Sequence, residues 1–353
     1  MTEPVYRPVL AARRGELAAL GHLDGVHAPL VAPILRLSMV DDSVVDLLGR
    51  LPAGLVPAVD VSALPDGVDA ELARWDMPLM PVICLTDDDR RLATHGVAAR
   101  AYTGRAVVWL RIGQDRAGPD ATTAIVERIW RYARLTPEQC DLLVDCGELG
   151  CPADVRAAEP RARRALAWAR RHSWCSVSVV AGGMPSALSR LPTDEPVRLY
   201  RWDWLLWQRL ADLGVGFGDY GVAPVAPGVE LPGDRLPTVR YTGDEVWWIY
   251  RWSRRGGRGE ERTADLCRAL VSAPHWPPGG ANFSWGDHEI FRRARRVAGA
   301  GSMTNCLAWS TSHHFAHVLE ALRRPARGGA RRAGPSPPPR SRAPRGGESR
   351  RVG

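Results

Sequence analysis

The sequence contains no lysine; all 47 basic residues in its 353 are arginine. A Schiff-base lysine and a phosphate-loop lysine are therefore excluded. Long apolar runs are also missing: none reaches the roughly 18 residues that a membrane span needs. The Met-Thr-Glu-Pro start has neither a basic nor an apolar leader segment, so a cytoplasmic protein without a signal peptide is expected. The seven cysteines are an odd number and include no C-x-x-C pair. Cys140, Cys146 and Cys151 cluster without that spacing, and buried free thiols of a reducing compartment are the expectation. There is no G-x-G-x-x-G, no G-x-S-x-G and no H-E-x-x-H, and no cofactor or metal is expected.

The net charge of +8 suggests a nucleic-acid partner until its location is considered. From Arg327 onward there are eight arginines and one glutamate, a tail of +7, which leaves +1 for residues 1–326. The body is nearly neutral. The tail, rich in Arg, Pro, Gly and Ser, has too little apolar area to fold and is expected to be disordered. It could contact phosphates in a salt-dependent way, or reflect compositional drift.

What is present is rhythm. Eight short apolar runs recur at Tyr6–Ala12, Pro29–Leu37, Leu55–Val61, Pro78–Leu85, Ala106–Ile112, Asp141–Asp145, Cys175–Ala181 and Val215–Pro224. They do not alternate strictly, as befits strands buried on both faces. Helical patterns separate them, among them Ala121–Leu135, Ala153–Arg171 and a Trp-rich stretch from Val197 to Leu213. Eight such units predict an α/β fold, a (β/α)8 barrel over residues 1–224. An open doubly wound sheet is the rival. Residues 225–324 read as an α+β extension packed near the barrel mouth. It comprises a hairpin over 237–252 turning near Gly243, then helices over 263–273, 288–296 and 312–324. Residues 325–353 are the tail.

Pro8, Arg14-Gly-Glu16, Phe217-Gly-Asp219-Tyr220, Phe283-Ser-Trp-Gly-Asp287 and Trp309 with His313-His314 together resemble the phage beta-protein family. That family is found in phage genomes and bacterial chromosomes. The resemblance spans about residues 6–320 and implies a phage-related context, with little defined chemistry. Two positions depart from the expected pattern: Arg36 stands where an acidic residue is expected, and Asp203 stands in for a longer carboxylate.

In a (β/α)8 barrel the working side chains come from the carboxyl ends of the strands. By that rule Asp60, Arg111, Asp145 and Asp219 converge on one rim, with Arg14, Glu16 and Arg36 near it. Paired carboxylates could cleave a glycosidic or N-glycosidic bond by acid and base action. Asp60, Asp145, Asp219 and His314 are the catalytic candidates. Arg111 and Arg201 could hold a phosphate, and Tyr220 could stack on a base or sugar. Arg14, Glu16, Trp285 and Asp287 complete the substrate-binding set. Gly182-Gly183 could bring backbone N–H groups to a phosphate or simply form a tight turn. His313 and His317 have helical metal-ligand spacing but need a third ligand, such as Asp287. Trp168, Trp204 and Trp207 read as core. The expected reading is an enzyme acting on a nucleotide or nucleic acid; the alternative is a non-catalytic protein that recognises a phage component.

Overall fold

The computed structural model describes residues 6–39, 42–65, 77–112, 119–226, 236–253 and 259–324. The arginine-rich tail and the acidic Asp41 lie outside them.

The eight apolar runs become eight parallel strands: β1 (Arg7–Leu10), β2 (Ile34–Arg36), β3 (Ala58–Asp60), β4 (Met80–Cys84), β5 (Ala106–Arg111), β6 (Cys140–Glu148), β7 (Ser176–Gly182) and, after an intervening strand, β9 (Gly216–Asp219). They close into a barrel in that order. The seam is the pairing of Arg7 with Gly218 and of Pro8 with Asp219. Helices α1 (Arg14–Gly21), α2 (Asp42–Leu48), α3 (Asp89–Tyr102), α4 (Pro119–Ala133), α5 (Pro152–Ala169) and α6 (Trp202–Arg209) lie between the strands. The fold is thus a (β/α)8 barrel.

One sequence expectation fails. Pro196–Tyr200 is a strand, β8, not the start of a helix. Its side chains alternate in exposure, and it pairs antiparallel with the second strand of the hairpin. That hairpin is β10 (Thr238–Thr242) and β11 (Val246–Arg251), with Gly243 in the turn as expected. The three strands form a separate sheet in the order β10-β11-β8. Tertiary pairing overrides the local helical pattern of a stretch whose real helix begins at Trp202.

No helix follows β9 directly. The eighth helical position is filled from further along the chain by α9 (Met303–Arg323), where Phe315, Val318 and Leu319 pack with Leu17 and Leu20 of α1. This helix starts nine residues, about two and a half turns, earlier than the sequence suggested. The hairpin sheet carries α7 (Gly259–Val271), α8 (Trp285–Ala294) and α9 on one side, around Tyr241, Leu266, Ile290 and Trp309.

Two-residue alternation divides the barrel strands between two layers. Val9, Ile34, Ala58, Val82, Val107, Trp109, Leu143 and Val180 fill the lumen. Tyr6, Leu10, Leu35, Val59 and Phe217 face the helices instead. Charge closes the amino-terminal end of the lumen. Asp141, fully buried, sits 3.1 Å from Arg7 and 2.8 Å from Arg105, and accepts a 2.6 Å bond from Ser176.

Trp168 and Trp204 are buried in separate clusters and Trp207 packs beside Trp204, the core role expected of all three. All seven cysteines are unpaired; five are buried, Cys151 is half-buried and Cys175 is exposed. No helix among the described residues is long and apolar enough to cross a membrane.

The α8–α9 contact depends on a missing side chain. A Cβ on Gly286 would strike the backbone of Trp309. Gly286→Ala is expected to cost about 1–3 kcal/mol, the range for an overpacked interior contact. Urea unfolding measures it, and a cost below about 0.5 kcal/mol would contradict this packing.

Candidate functional site

The polar side chains singled out by the sequence divide between the two faces of the barrel wall. The inward series continues past the apolar lumen to the carboxyl ends of the strands. There it adds Arg36 after Ile34, Asp60 after Ala58, Cys84 after Val82, Arg111 after Trp109 and Asp145 after Leu143. Tyr220, just past β9, belongs to the same inner cluster.

Asp145 is the best-supported member. Its Oδ2 accepts from Trp109 Nε1 at 3.0 Å and from the Tyr220 hydroxyl at 2.7 Å, and its Oδ1 accepts from Gly147 N at 2.8 Å. Burial raises its pKa despite those donors. The Arg111 guanidinium lies 4.3 Å from the centroid of the Trp109 ring. Burial works against the Arg111 charge, but Cys84, Asp60 and Asp145 around it raise its pKa. Asp60 accepts a 2.9 Å bond from Ser62 N and stands 3.9 Å from Arg36. Arg36 reaches across to the Val225 carbonyl at 3.1 Å.

Asp87 was not in the candidate set, and the structure adds it. The sequence marks it only as part of an acidic helix cap. Its carboxylate accepts from Cys84 N at 2.8 Å, and burial pushes its pKa up to about 6, with Asp60 adding to the shift. Cys84 is a thiol that burial pushes up to about 12, too high for a nucleophile near neutral pH.

Gly182 does not form an open phosphate cradle. A Cβ there would strike the Val225 side chain and come within 3.2 Å of Tyr220. Its bareness is what lets the chain after β9 lie over the end of β7.

Asp219 is a correction. It does not share the rim with Asp60 and Asp145, because it neighbours inward-facing Tyr220 and therefore faces outward. Its Oδ1 accepts from the Tyr6 hydroxyl at 2.6 Å and from Gly221 N at 2.8 Å. His314 Nε2 is 2.9 Å from its Oδ2, and Arg201 is 3.6 Å away. Burial alone would raise the Asp219 pKa; His314, Arg201 and Tyr6 outweigh it and hold it below the usual value. Burial lowers His314, against the pull of Asp219. The Thr242 hydroxyl is 2.8 Å from His314 Nδ1. Neutral His314 thus donates from Nε2 to Asp219 and accepts from Thr242.

Arg201 is likewise enclosed rather than presented to a phosphate. Its side chain has no exposure, and it lies 5.1 Å from the Trp204 ring and 5.5 Å from the Trp247 ring. Asp203 is 3.6 Å from the same guanidinium nitrogen that approaches Asp219.

The network extends through the hairpin. Asp287 accepts from Tyr241 at 2.6 Å and from Ser284 at 2.6 Å. His313 is 2.9 Å from Asp287 Oδ2 through Nδ1, and 2.9 Å from the Thr242 carbonyl through Nε2. Both ring nitrogens are engaged, and no group of three metal-binding side chains occurs among the described residues.

The remaining candidates lie apart. Glu16 is buried and caps α1, accepting a 3.0 Å bond from Arg13 N, and burial raises its pKa. Arg14 is exposed. Trp285 stacks on His22 at 3.8 Å, roughly 9 Å along α1 from Glu16 at 1.5 Å per residue.

Asp203 gives the outward layer a pH signature. Burial pushes its pKa up to about 7, in a group of charges that includes Arg201 and Asp219. A carboxyl raised in this way stabilises the fold while protonated. That contribution is complete below the unfolded value of about 4 and is lost as pH rises through the folded value. Asp203→Asn is therefore expected to gain on the wild type by more than about 1 kcal/mol between pH 5 and pH 8. Parallel stability–pH curves for the two proteins would contradict the placement of this charge.

No curated protein matches the chain. Among solved structures it is similar to the biosynthetic arginine decarboxylase of Campylobacter jejuni. The TM-score is 0.37 and the identity 10%, over 90% of this chain and 55% of that one. The chain spans about half the length of that decarboxylase chain. The family model described as Beta protein matches residues 6–320, from the start of the barrel into the last turn of α9, and the chain belongs to that family.

Proposed function

We propose that the chain is an enzyme that hydrolyses a glycosidic-type bond in a nucleotide or nucleic acid, with its site on the inward ring of the barrel mouth. The observation that carries this reading is a pair of buried carboxylates, Asp145 and Asp60, standing at strand ends in one ring with Arg111 and Arg36. Charges at the ends of apolar strands cost free energy, and their accumulation at one barrel end is characteristic of working sites.

The two carboxylates suit different tasks. Asp145 is pushed toward its protonated form by burial, as a general acid requires. Its Oδ2 already takes two donors, whereas Oδ1 takes one, so Oδ1 is where a transferable proton fits. Asp60 has a backbone N–H and a guanidinium as neighbours, donors that suit a negative charge beside a developing cation or an activated water. Arg36 and Arg111 offer planar donors to a phosphate. Asp87, near neutrality in its titration, is a third proton-handling group at the same end. The seven unpaired cysteines support a cytoplasmic setting. Resemblance to a family found in phage genomes supports modified phage DNA as the first substrate to test.

One observation favours a second reading, a non-catalytic recognition surface. The segment after β9 is pinned over the mouth by the Tyr220–Asp145 bond and the Arg36–Val225 bond, which would also suit a rigid binding face.

The test is release of free base or sugar from modified phage DNA and from mononucleotides, followed by chromatography. Asp145→Asn is expected to reduce release by about 10²–10⁴-fold, the usual contribution of a general acid, with the melting temperature kept. Release unchanged in that variant would sink the acid role. Binding without release would establish the second reading instead.

A further inference from the structure

On the face of the hairpin sheet that carries α7, a groove of about 440 Å³ runs between β8 and the end of that helix. We infer that it is a docking site for an extended, proline-containing peptide that carries a carboxylate. The inference is independent of the chemistry proposed at the barrel mouth.

The groove is preformed. Its floor is Trp248 and Tyr250, adjacent same-face residues of β11. His275 holds both: it stacks on Trp248 with ring centroids 4.2 Å apart and planes 3° apart, and its Nε2 is 2.9 Å from the Tyr250 hydroxyl. Burial lowers the His275 pKa to about 4, so the ring is neutral at physiological pH and the floor carries no charge. The walls are Pro196 on β8 and Ala273 and Pro274 after α7, all short or rigid. Flat aromatic rings between rigid walls match the ridges of a polyproline II helix, which enters with little entropy left to lose.

Charge and an open edge define the occupant further. Arg198 is exposed and lies directly across from Trp248 on the same face of the sheet. It is the one charged residue on the groove side of β8, since Pro196 and Tyr200 share that face. Its guanidinium, resting 5.3 Å from the Tyr200 ring centroid, is presented to a carboxylate next to the proline segment. Among the described strands β8 pairs only with β11, which makes it an edge strand of its sheet.

The probe is a blocked hexaproline with one terminal aspartate, compared with the same peptide ending in lysine, titrated by calorimetry against the full chain. The aspartyl peptide is expected to bind with a Kd on the order of 100 µM and the lysyl peptide at least tenfold more weakly. Arg198→Glu should reverse that order. Ala273→Arg, which fills the groove from its rim, should abolish binding of both. Either variant sits on the surface, and circular dichroism confirms its folding. No binding of the aspartyl peptide at millimolar concentration would overturn the inference, as would binding indifferent to both substitutions. Self-association of the wild type that Ala273→Arg abolishes would also overturn it, by making a second copy of the chain the occupant.

Discussion

Adjacent residues on a strand cannot face the same way, and at Asp219 and Tyr220 this constraint organises the molecule. Tyr220 turns into the barrel and donates to Asp145; Asp219 turns out and takes Tyr6, His314 and Gly221. One dipeptide therefore anchors two polar systems on opposite sides of the same wall. The inner one lines the mouth. The outer one fastens β1, β9, α9 and the hairpin sheet together around a buried arginine.

The outer system illustrates when buried polarity is tolerable. His314 finds a partner for each ring nitrogen, His313 does the same, and Thr242 serves both through its hydroxyl and its carbonyl. A network satisfied in this way rigidifies and specifies one arrangement. Arg201 between Asp203 and Asp219 is the expensive part, because a buried charge that loses its partner is strongly destabilising. The inner system is looser. The Arg36–Asp60 separation of 3.9 Å and the half-exposed Arg36 leave charge within reach of a ligand.

The barrel was legible because its strands are buried on both faces and so appear as continuous apolar runs with helical spacers. Asp60, Arg111 and Asp145 were legible as strand ends. What could not be read was facing. An apolar run buried on both faces has no polar side to reveal which residue points inward, so Asp219 looked equivalent to Asp145. Arg201 and His314 were noticed as chemistry, but their enclosure depends on Trp204, Trp247 and Tyr6, distant in sequence. β8 was missed because a strand that pairs only with a later hairpin carries no local sign of its partner. Asp87 was hidden in an acidic cap, and only the turn that returns its carboxylate to Cys84 N distinguishes it.

The central claim is that the wall separates a fastening layer from a working one, and paired unfolding measurements on Asp219→Asn and Asp60→Asn test it most directly. Asp219→Asn strips Arg201 and His314 of their common anion and should cost roughly 3–5 kcal/mol, as broken buried pairs do. Asp60→Asn keeps an oxygen for Ser62 N and loses only a 3.9 Å pair with the half-exposed Arg36, so it should cost less than about 1 kcal/mol. Equal costs for the two substitutions, or the reverse order, would contradict the division on which this account rests.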